Sequence, residues 1–217
     1  MKIIDASYEI INPNMDDFDV TNEIYQKIER AGRTCYKSEH CITPSSAATF
    51  IRKITKNHHE AMLEHACMTV KFIVDRGVSH ELVRHRLASF AQESTRYCNY
   101  ANDKFDGELT FIRPLFFRVG STEYFWWHDL CHHSEEVYLA MIAAGRTPQE
   151  ARSVLPNSLK TEVVMTANMR EWRHFFRLRA AGETGAPHPQ MSEVAVPLLK
   201  ECQSKMPELF GDIKCPE

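Results

Sequence analysis

Residues 66–75 read ACMTVKFIVD, and residues 76–97 continue as RGVSHELVRHRLASFAQESTRY. The first stretch is rich in β-forming residues and partly alternates apolar with polar side chains, which predicts a buried strand. Ser79 is a candidate N-cap for a short helix that runs through Arg86. The polar residues from Ser89 to Asn99 are typical of a loop. The sequence therefore predicts a strand, a helix and a loop that hold a basic cluster in a fixed place.

The other segments mix strand-like with helix-like patterns. Strands are predicted over residues 2–11 and 108–113, and residues 161–167 fit either a strand or a helix. Helices are predicted over residues 21–32, 45–57, 122–144, 147–155, 170–181 and 188–206. Strict β-α-β alternation is absent, so we expect an α+β fold with a mixed or antiparallel sheet packed by long helices. No repeat or linker divides the chain, and residues 1–217 are expected to form a single domain.

Two helices carry specific end signals. Thr21 is the candidate N-cap of the first helix, and Gly32 is its candidate end. Thr147 is followed by Pro148 and then by Glu150, which is the pattern of a capping box with proline at the first helical position. These residues predict where the two helices begin.

The composition excludes several classes of protein. The chain has 217 residues, of which 43% are hydrophobic and 25% charged, as in a globular domain rather than a disordered one. No apolar run reaches the roughly 18–20 residues that span a membrane. The first ten residues are too polar for a signal peptide. We therefore expect a soluble cytoplasmic protein, and the net charge of −3 argues against a general nucleic-acid binder.

Cysteine and histidine spacing gives little indication of a metal. The seven cysteines are irregularly spaced, which is typical of free thiols in a reducing compartment. His128, Cys131, His132 and His133 form one cluster without a second ligand cluster, so surface histidines of a helix are favoured over a zinc site. A solvated turn, rather than a cation site, is the interpretation favoured for Asp16, Asp17 and Asp19. The sequence also lacks the glycine-rich dinucleotide fingerprint and the P-loop.

The basic residues of the opening stretch allow two interpretations. Arg84, His85 and Arg86 end a predicted helix, and cations at a helix C-terminus are favourable with its dipole. The same group precedes a loop with Gln92 and Arg96, whose side chains can form hydrogen bonds with an anion. Spacing alone leaves a solvated helix end and an anion site equally open.

A family resemblance favours the anion site. Arg84-His85-Arg86, followed after seven residues by Ser94, resembles the signature of the flavin-dependent (alternative) thymidylate synthases. Other matches follow in the family's order: His59-Glu60, Glu64-His65, Ala151-Arg152, Leu155-Pro156, Asn168-x-Arg170 and Leu178-Arg179, with Arg33-x-x-Tyr36 as a weaker one. The resemblance implies an α+β fold specific to this family. It also implies methylation of dUMP to dTMP, with carbon from methylenetetrahydrofolate and reducing equivalents from NADPH through FAD, in a homotetramer.

The resemblance also assigns roles to single residues. It implies flavin contacts for His59, Arg84, His85, Arg86, Gln92, Asn168, Met169, Arg170 and His174. It implies dUMP contacts for Glu81, Arg84, Gln92, Glu93, Ser94, Thr95, Arg96, Arg152 and Arg179. Some positions depart from other members: Glu81 stands where Gln occurs, Gln92 where Glu occurs, His174 where Asn occurs and Ala61 where a hydroxyl residue occurs. At Ala61 any contact would be made by the backbone.

Arg179 resembles the residue that activates the uracil ring. A guanidinium is protonated at every useful pH, with a pKa above ~12, so it cannot act as a general base. It can stabilise the anion that forms when uracil N3 loses its proton, which makes C5 more nucleophilic. Arg179 is therefore the predicted catalytic residue.

A covalent nucleophile is not indicated. Ser94 lacks the sequence of a nucleophile elbow, so we assign it to phosphate binding. Cys98 lies beyond the motif and is interpreted as a spectator, and Cys215-Pro216 reverses the Pro-Cys order of the unrelated cysteine-dependent thymidylate synthases. The alternative function is a non-catalytic nucleotide- or RNA-binding module, which the net charge and the absence of RNA-binding motifs disfavour.

Overall fold

The computed structural model describes residues 1–14 and 17–215. The strands are β1 (Lys2–Ile4), β2 (Ser7–Asn12), β3 (Cys67–Asp75), β4 (Ala88–Gln92), β5 (Thr110–Ile112) and β6 (Lys160–Asn168). The helices are α1 (Phe18–Tyr36), α2 (Ser46–Lys56), α3 (Arg76–Leu82), α4 (Thr122–Ala143), α5 (Pro148–Ala151), α6 (Met169–Arg179), α7 (Pro189–Lys205) and α8 (Pro207–Phe210). Short 3₁₀ turns cover Glu39–Cys41, Glu60–His65, Asp103–Phe105 and Arg152–Val154. The α+β prediction is confirmed.

The larger sheet has the strand order β2-β3-β6-β4, and β1 pairs with β5 in a separate parallel ribbon. The two central strands of the larger sheet, β3 and β6, run antiparallel. The amide of Met169 donates to the carbonyl of Ala66 at 2.9 Å, and the amide of Arg76 donates to the carbonyl of Leu159 at 3.2 Å. In β3 and β6 burial alternates along the strand, so apolar residues of one face enter the core.

The contacts within the chain divide it into two compact units. Unit 1 comprises Met1–Ser7, Phe72–Arg84 and Ala91–Val163. Unit 2 comprises Tyr8–Lys71, His85–Phe90 and Val164–Glu217. Because β3 and β6 each contribute residues to both units, the division falls inside strands rather than at a linker. The assignment of a single domain stays a prediction.

Each unit has its own apolar core. In unit 1, α4 places Trp127, Cys131 and Tyr138 against Leu109 and Phe111. In unit 2, fully buried aromatic and aliphatic residues come from α1, α2, α6 and α8: Ile28, Ile51, Trp172, Phe175, Phe176 and Phe210. The indole of Trp172 donates to the carbonyl of Met68 at 3.0 Å, so this buried polar group is satisfied. The predicted inward face of α7 is buried as well, at Met191, Val194, Ala195, Leu198 and Leu199.

Helix α1 is longer than predicted at both ends. Its N-cap is Asp17, whose carboxylate accepts from the amide of Asp19 at 3.0 Å, and not Thr21. It ends at Tyr36, followed by Lys37 as a C-cap in the left-handed conformation, rather than at Gly32. Gly32 is needed for another reason, since a Cβ there would lie 2.3 Å from the ring of Phe50 on α2. Asp16, from the predicted acidic turn, lies outside the described residues.

The segment before the basic cluster also differs from its prediction. Helix α3 begins after Asp75, whose carboxylate accepts from the amide of Val78 at 2.7 Å. Ser79 lies inside this helix instead of capping it, and its hydroxyl donates to the carbonyl of Arg76. The helix ends at Leu82, so the basic residues follow it. The polar stretch from Ser89 is not entirely a loop, because β4 extends to Gln92.

The remaining elements follow the sequence more closely. The predicted strand over residues 2–11 is broken into β1 and β2, and residues 161–167 lie within strand β6. The predicted helix over residues 122–144 is α4, and the amide of Thr147 donates to Glu150 at 2.9 Å in the predicted capping box. Among the described residues, no helix has the length and apolar character needed to cross a membrane.

Candidate functional site

The basic cluster combines two exposed arginines with one buried histidine. Arg84 and Arg86 are exposed, whereas His85 is only 4% exposed. The chain leaves α3 at Leu82, and Val83 caps the helix. The structure therefore presents the two guanidinium groups to solvent and turns the imidazole inward, a difference that the sequence did not indicate.

His85 is held by α6 within unit 2. Its Nδ1 lies 3.0 Å from a carboxylate oxygen of Glu171, and its Nε2 lies 3.3 Å from the Nε of Arg179. Because the Arg179 Nε–H can only donate, Nε2 accepts, and the proton of the neutral ring is assigned to Nδ1. Burial lowers the pKa of His85, and the nearby Arg179 lowers it further, while Glu171 acts in the opposite direction. The imidazole is therefore neutral and has both nitrogens in use.

The spacing of α6 explains this arrangement. Glu171, Phe175 and Arg179 are four residues apart and lie on one face of the helix. The ring of Phe175 packs edge-on against His85, with centroids 5.1 Å apart. Asn168 caps the helix by accepting from the amide of Glu171 at 2.9 Å. One capped helix thus places a carboxylate, an aromatic ring and a guanidinium against the same imidazole.

Three other predicted flavin residues lie on the same helix or beside it. Arg170 is exposed and pairs with Glu64 at 2.6 Å, and His174 is also exposed. Met169 is fully buried, and its amide donates to the carbonyl of Ala66. The side chain of Met169 is therefore part of the core, whereas Arg170 and His174 have surfaces that a ligand can reach.

A cavity of about 1020 Å³ lies within unit 2 and includes His59 and Ala61 in its lining. Its walls combine cations with aromatic rings. The guanidinium of Arg33 lies 4.9 Å from the centre of the Phe50 ring, and Tyr36 is 76% exposed. Phe50 and Lys53, which also line the cavity, were not predicted as site residues. Apolar walls with a few cations suit a planar anionic group.

The predicted phosphate residues form a compact turn in unit 1. The amides of Tyr97 and Cys98 donate to the carbonyl of Ser94 at 3.1 and 2.9 Å. The hydroxyl of Thr95 accepts from the guanidinium of Arg152 at 3.3 Å. Both Arg96 and Arg152 are exposed. Two exposed guanidinium groups beside hydroxyl groups are suited to binding a phosphate.

The two polar residues before this turn are engaged within unit 1. The side-chain amide of Gln92 donates to the hydroxyls of Ser79 at 3.0 Å and Thr161 at 3.2 Å. Glu93 accepts from the hydroxyl of Tyr100 at 2.8 Å and pairs with Lys160 at 3.0 Å. Its charge is thereby compensated, so it adds little repulsion toward an anion.

The last predicted substrate residue is Glu81. It lies in the final turn of α3, and its carbonyl accepts from the amide of Arg84 at 3.3 Å. This bond connects the end of the helix to the first arginine of the cluster.

Known proteins resemble this chain over most of its length. The family model described as "Thymidylate synthase complementing protein" matches residues 18–208. The flavin-dependent thymidylate synthase of Corynebacterium efficiens is 33% identical over 199 residues, which cover 86% of this chain and 78% of that protein. The chain belongs to the flavin-dependent thymidylate synthase family. The enzyme of the same name from Geobacter sulfurreducens is 31% identical over 84% of this chain and 78% of its own length.

Solved structures agree on the fold. The UMP/dUMP methylase PolB from Streptomyces cacaoi, bound with 5-Br dUMP, superposes with a TM-score of 0.77 at 20% identity. The match covers 97% of this chain and 96% of that chain. As a member of the flavin-dependent thymidylate synthase family, the chain is an enzyme, a methyltransferase of the flavoprotein class.

In this family member, the assigned residues divide between the two units by their predicted role. Unit 1 contains Glu81, Arg84, Gln92, Glu93, Ser94, Thr95, Arg96 and Arg152. Unit 2 contains His59, His85, Arg86, Asn168, Met169, Arg170, His174 and Arg179. Most residues with predicted dUMP roles therefore belong to unit 1, and most with predicted flavin roles belong to unit 2.

The structure also separates the members of the His/Cys cluster on α4. Cys131 is fully buried, and burial raises the pKa of its thiol to about 12. His132 and His133 are exposed and lie 3.6 Å from Glu136. Within the described residues, potential ligand atoms converge to within 4.8 Å at His85, Glu171 and His174. There the guanidinium of Arg179 disfavours a further cation.

Sequence reasoning missed several residues that hold the assigned ones in place. Glu171 orients His85, while Lys160 and Tyr100 hold Glu93. Glu171 and Lys160 are each distant along the chain from the residue they hold, at separations of 86 and 67 residues. The signal that could have found Glu171 was its spacing from Arg179 on one helical face, but this spacing does not show what the face contacts.

Proposed function

We propose that the protein methylates dUMP to dTMP, taking carbon from methylenetetrahydrofolate and reducing equivalents from NADPH through FAD. Its proposed place of action is the cytoplasm, where its seven free cysteines suit a reducing environment. The observation that carries the proposal, beyond family membership, is the hydrogen bond of 3.3 Å that the Arg179 Nε–H donates to the Nε2 of His85. A fixed cation of this kind can stabilise an anionic ring without taking part in proton transfer.

The nucleotide phosphate is proposed to bind at the turn that follows β4. Arg96 and Arg152 supply two cations, and the hydroxyls of Ser94 and Thr95 lie in the same turn. The pairing of Glu93 with Lys160 leaves the positive charge of the turn uncancelled. Charge-assisted hydrogen bonds to phosphate are stronger than neutral ones, so this turn would supply much of the affinity for dUMP.

The flavin is proposed to bind to residues of unit 2 that fit an anionic, planar group. His59 and the backbone of Ala61 line the cavity that also contains Arg33 and Phe50. Arg86 is exposed as well, and its guanidinium suits a pyrophosphate. When bound, FAD supplies the reducing equivalents that convert the transferred carbon into a methyl group.

The other assigned flavin residues would act from α6 and its flanks. Arg170 and His174 are exposed and can donate hydrogen bonds. The carbonyl oxygen of the Asn168 side chain is used as the helix cap, which leaves its amide group available as a donor. Together they would orient one edge of a planar ring.

Arg179 is proposed to activate the substrate base. Its guanidinium would stabilise the negative charge left on the uracil ring when N3 loses its proton, and this charge raises the nucleophilicity of C5. The hydrogen bond to His85 fixes the Nε side of the group. Half-buried Arg179 would therefore keep its orientation while its charge acts on the ring.

Thiol chemistry is not required by this proposal. The thiol of Cys131 has its pKa raised to about 12 by burial, and burial also raises the pKa of Cys202. A raised pKa removes the thiolate that a nucleophilic cysteine needs. These two buried thiols are therefore unsuited to nucleophilic attack. Because the sequence also has no Pro-Cys pair, the methyl transfer is proposed to proceed without a cysteine nucleophile.

The test uses the purified full chain loaded with FAD. We expect flavin absorbance, NADPH oxidation that depends on dUMP, and dTMP formation from methylenetetrahydrofolate. Arg179→Ala should lower turnover by about 100-fold or more, because a preorganised electrostatic group is lost. Arg113→Ala is the matched control, since Arg113 forms an exposed pair with Asp5 outside the assigned residues.

Two results would count against the proposal. A colourless protein that neither takes up FAD nor oxidises NADPH would favour a non-catalytic nucleotide-binding module. Undiminished dTMP formation by Arg179→Ala would remove Arg179 from the mechanism while leaving the activity itself in place.

A further inference from the structure

The imidazole of His85 has no free nitrogen. Nδ1 is 3.0 Å from the carboxylate of Glu171, and Nε2 is 3.3 Å from the Nε of Arg179. The ring is 4% exposed and packs against Phe175. A direct hydrogen bond from this ring to a ligand would require one of these two contacts to break.

The three groups form an ordered chain of hydrogen bonds. A carboxylate accepts only, so Glu171 selects the tautomer with the proton on Nδ1. That tautomer leaves the lone pair on Nε2, which is the acceptor that the Arg179 Nε–H requires. The other tautomer would direct an N–H at the guanidinium and would break the contact. Glu171 thus determines whether His85 can hold Arg179.

Protonation of His85 would break the contact with Arg179, as would the tautomer that carries its proton on Nε2. An imidazolium has two N–H groups and no acceptor, and its charge would repel the guanidinium. Arg179 would then lose the hydrogen bond to its Nε.

We propose that Glu171 and His85 act as positioning residues that orient the guanidinium of Arg179, and that protonation of His85 breaks the hydrogen bond to the Arg179 Nε. This inference rests on the proposed function, since it describes how the proposed catalytic group is held. Arg179 remains the group that touches the substrate.

Among the described residues, charged or titratable groups of α6 act on the His85 ring. They are Glu171, Arg179 and His174, whose ring centroid is 5.9 Å away. Burial, Arg179 and His174 lower the pKa of His85 below the usual 6.5, while Glu171 raises it. Turnover should therefore be lost as the pH falls through this lowered value, and the active form should persist above it.

The first test is the pH profile of kcat for two variants. Glu171→Gln removes the charge that favours the imidazolium, so the acid limb should move to lower pH. It also removes the preference for one tautomer, so kcat at neutral pH should fall by about tenfold, a modest loss of orientation. His85→Gln retains an oxygen that can accept from Arg179 but does not titrate. It should keep more activity than His85→Leu and should lack the acid limb assigned to His85.

The control is His80→Gln, which changes an exposed histidine outside the assigned residues. Its profile should match that of the unmodified protein. An acid limb that is unchanged in both Glu171→Gln and His85→Gln, or full turnover in His85→Leu, would overturn the proposal. A purely structural role would lower the folded fraction, which thermal unfolding measures, without moving the limb.

The second test does not require activity. Nitrogen-15 NMR of labelled histidine should show His85 with Nδ1 protonated and Nε2 unprotonated, and Glu171→Gln should populate the other tautomer. The Arg179 Nε–H should be protected from hydrogen exchange in the unmodified protein, and less protected in Glu171→Gln and in His85→Leu. Protonated Nε2 in the unmodified protein would overturn the inference, whether or not dTMP is formed. Absence of dTMP with the expected NMR result would count against the proposed function alone.

Discussion

Arg173 shows how a single residue can carry a charge inside the core of unit 2. Its side chain is fully buried, and its guanidinium forms two hydrogen bonds of 2.7 Å with the carboxylate of Asp212. It also bonds to Glu60 at 3.0 Å and to the carbonyl of Leu209. Burial tends to raise the pKa of Asp212, but the bonds and charge of Arg173 outweigh it and lower the value. The core tolerates this charge because the guanidinium is paired with the two carboxylates and bonded to the carbonyl.

This pairing predicts that replacing Arg173 lowers the stability of the fold much more than replacing Arg170 does. Arg173→Met should lower the free energy of unfolding by about 3 kcal/mol, since it removes the buried cation shared by Glu60 and Asp212. These carboxylates would keep the half-buried Arg177, which lies 3.1 Å from Glu60 and 3.8 Å from Asp212. Arg170→Met, on the same helix, removes an exposed pair with Glu64 and should cost less than about 1 kcal/mol. Urea unfolding of both variants measures the difference. Equal losses would show that the buried network does not stabilise the fold.

At the scale of the element, α6 connects packing with the proposed chemistry. Its apolar residues Trp172 and Phe176 enter the core, and its other face holds His85. Because Asn168 caps the helix at the amide of Glu171, the cap also fixes the residue that orients His85. The beginning of this helix is therefore expected to influence both stability and cofactor binding.

The cap of α6 can be tested against the cap of a helix in unit 1. Asn168→Ala should cost about 1 kcal/mol of stability, the usual value for a lost N-cap, and should also weaken FAD binding. Ser121→Ala removes the cap of α4, where the hydroxyl accepts from the amide of Tyr124, at a similar cost in stability. It should leave FAD affinity unchanged.

A second variant separates the cap from the cofactor contact. Asn168→Asp retains an oxygen that can cap the helix but loses the amide donor. It should recover the stability and not the affinity for FAD. Unfolding curves and flavin titrations give the two quantities, and full recovery of affinity would contradict a contact through the amide.

At the scale of the whole molecule, the chain is small for the ligands it is proposed to bind. A flavin, a nucleotide and a folate are large relative to a chain of 217 residues, which favours binding sites shared between subunits. Helix α4 exposes Phe125 by 55%, Trp126 by 69% and Leu130 by 60%. Trp126 and Leu130 are one turn apart and form an apolar surface suited to contact with another copy. We therefore propose that the protein assembles as a homotetramer.

Assembly can be measured directly. The protein should sediment as a species of about four times the 25.1 kDa chain, because the exposed aromatic residues of α4 would be covered by another copy. Trp126→Glu should shift it to a smaller species, since a carboxylate opposes burial at an interface. His133→Gln changes another exposed residue of α4 and should leave the mass unchanged. An unaltered mass for Trp126→Glu would exclude this face from the interface.

The sequence determined the elements whose signals are local. The strand predicted over residues 66–75 corresponds to β3, and the helix predicted over residues 122–144 corresponds to α4. The family motif also identified the arginines and the phosphate turn as candidate chemistry. Errors occurred at ends, as at Thr21 and Ser79, because a serine or threonine can cap a helix or lie inside it. Packing decides between these positions, and propensity does not.

Only the tertiary structure decided which polar and charged groups meet. Glu171 and His85 are 86 residues apart, and Glu93 and Lys160 are 67 residues apart. Local patterns of the sequence cannot reveal such pairs, because sheet order and helix orientation determine which residues meet. Residue types and spacing thus specified a helical face on α6 and a basic cluster after α3. Folding determined that this face holds a neutral histidine in the interior and leaves the neighbouring arginines exposed, because burial disfavours charge on the imidazole.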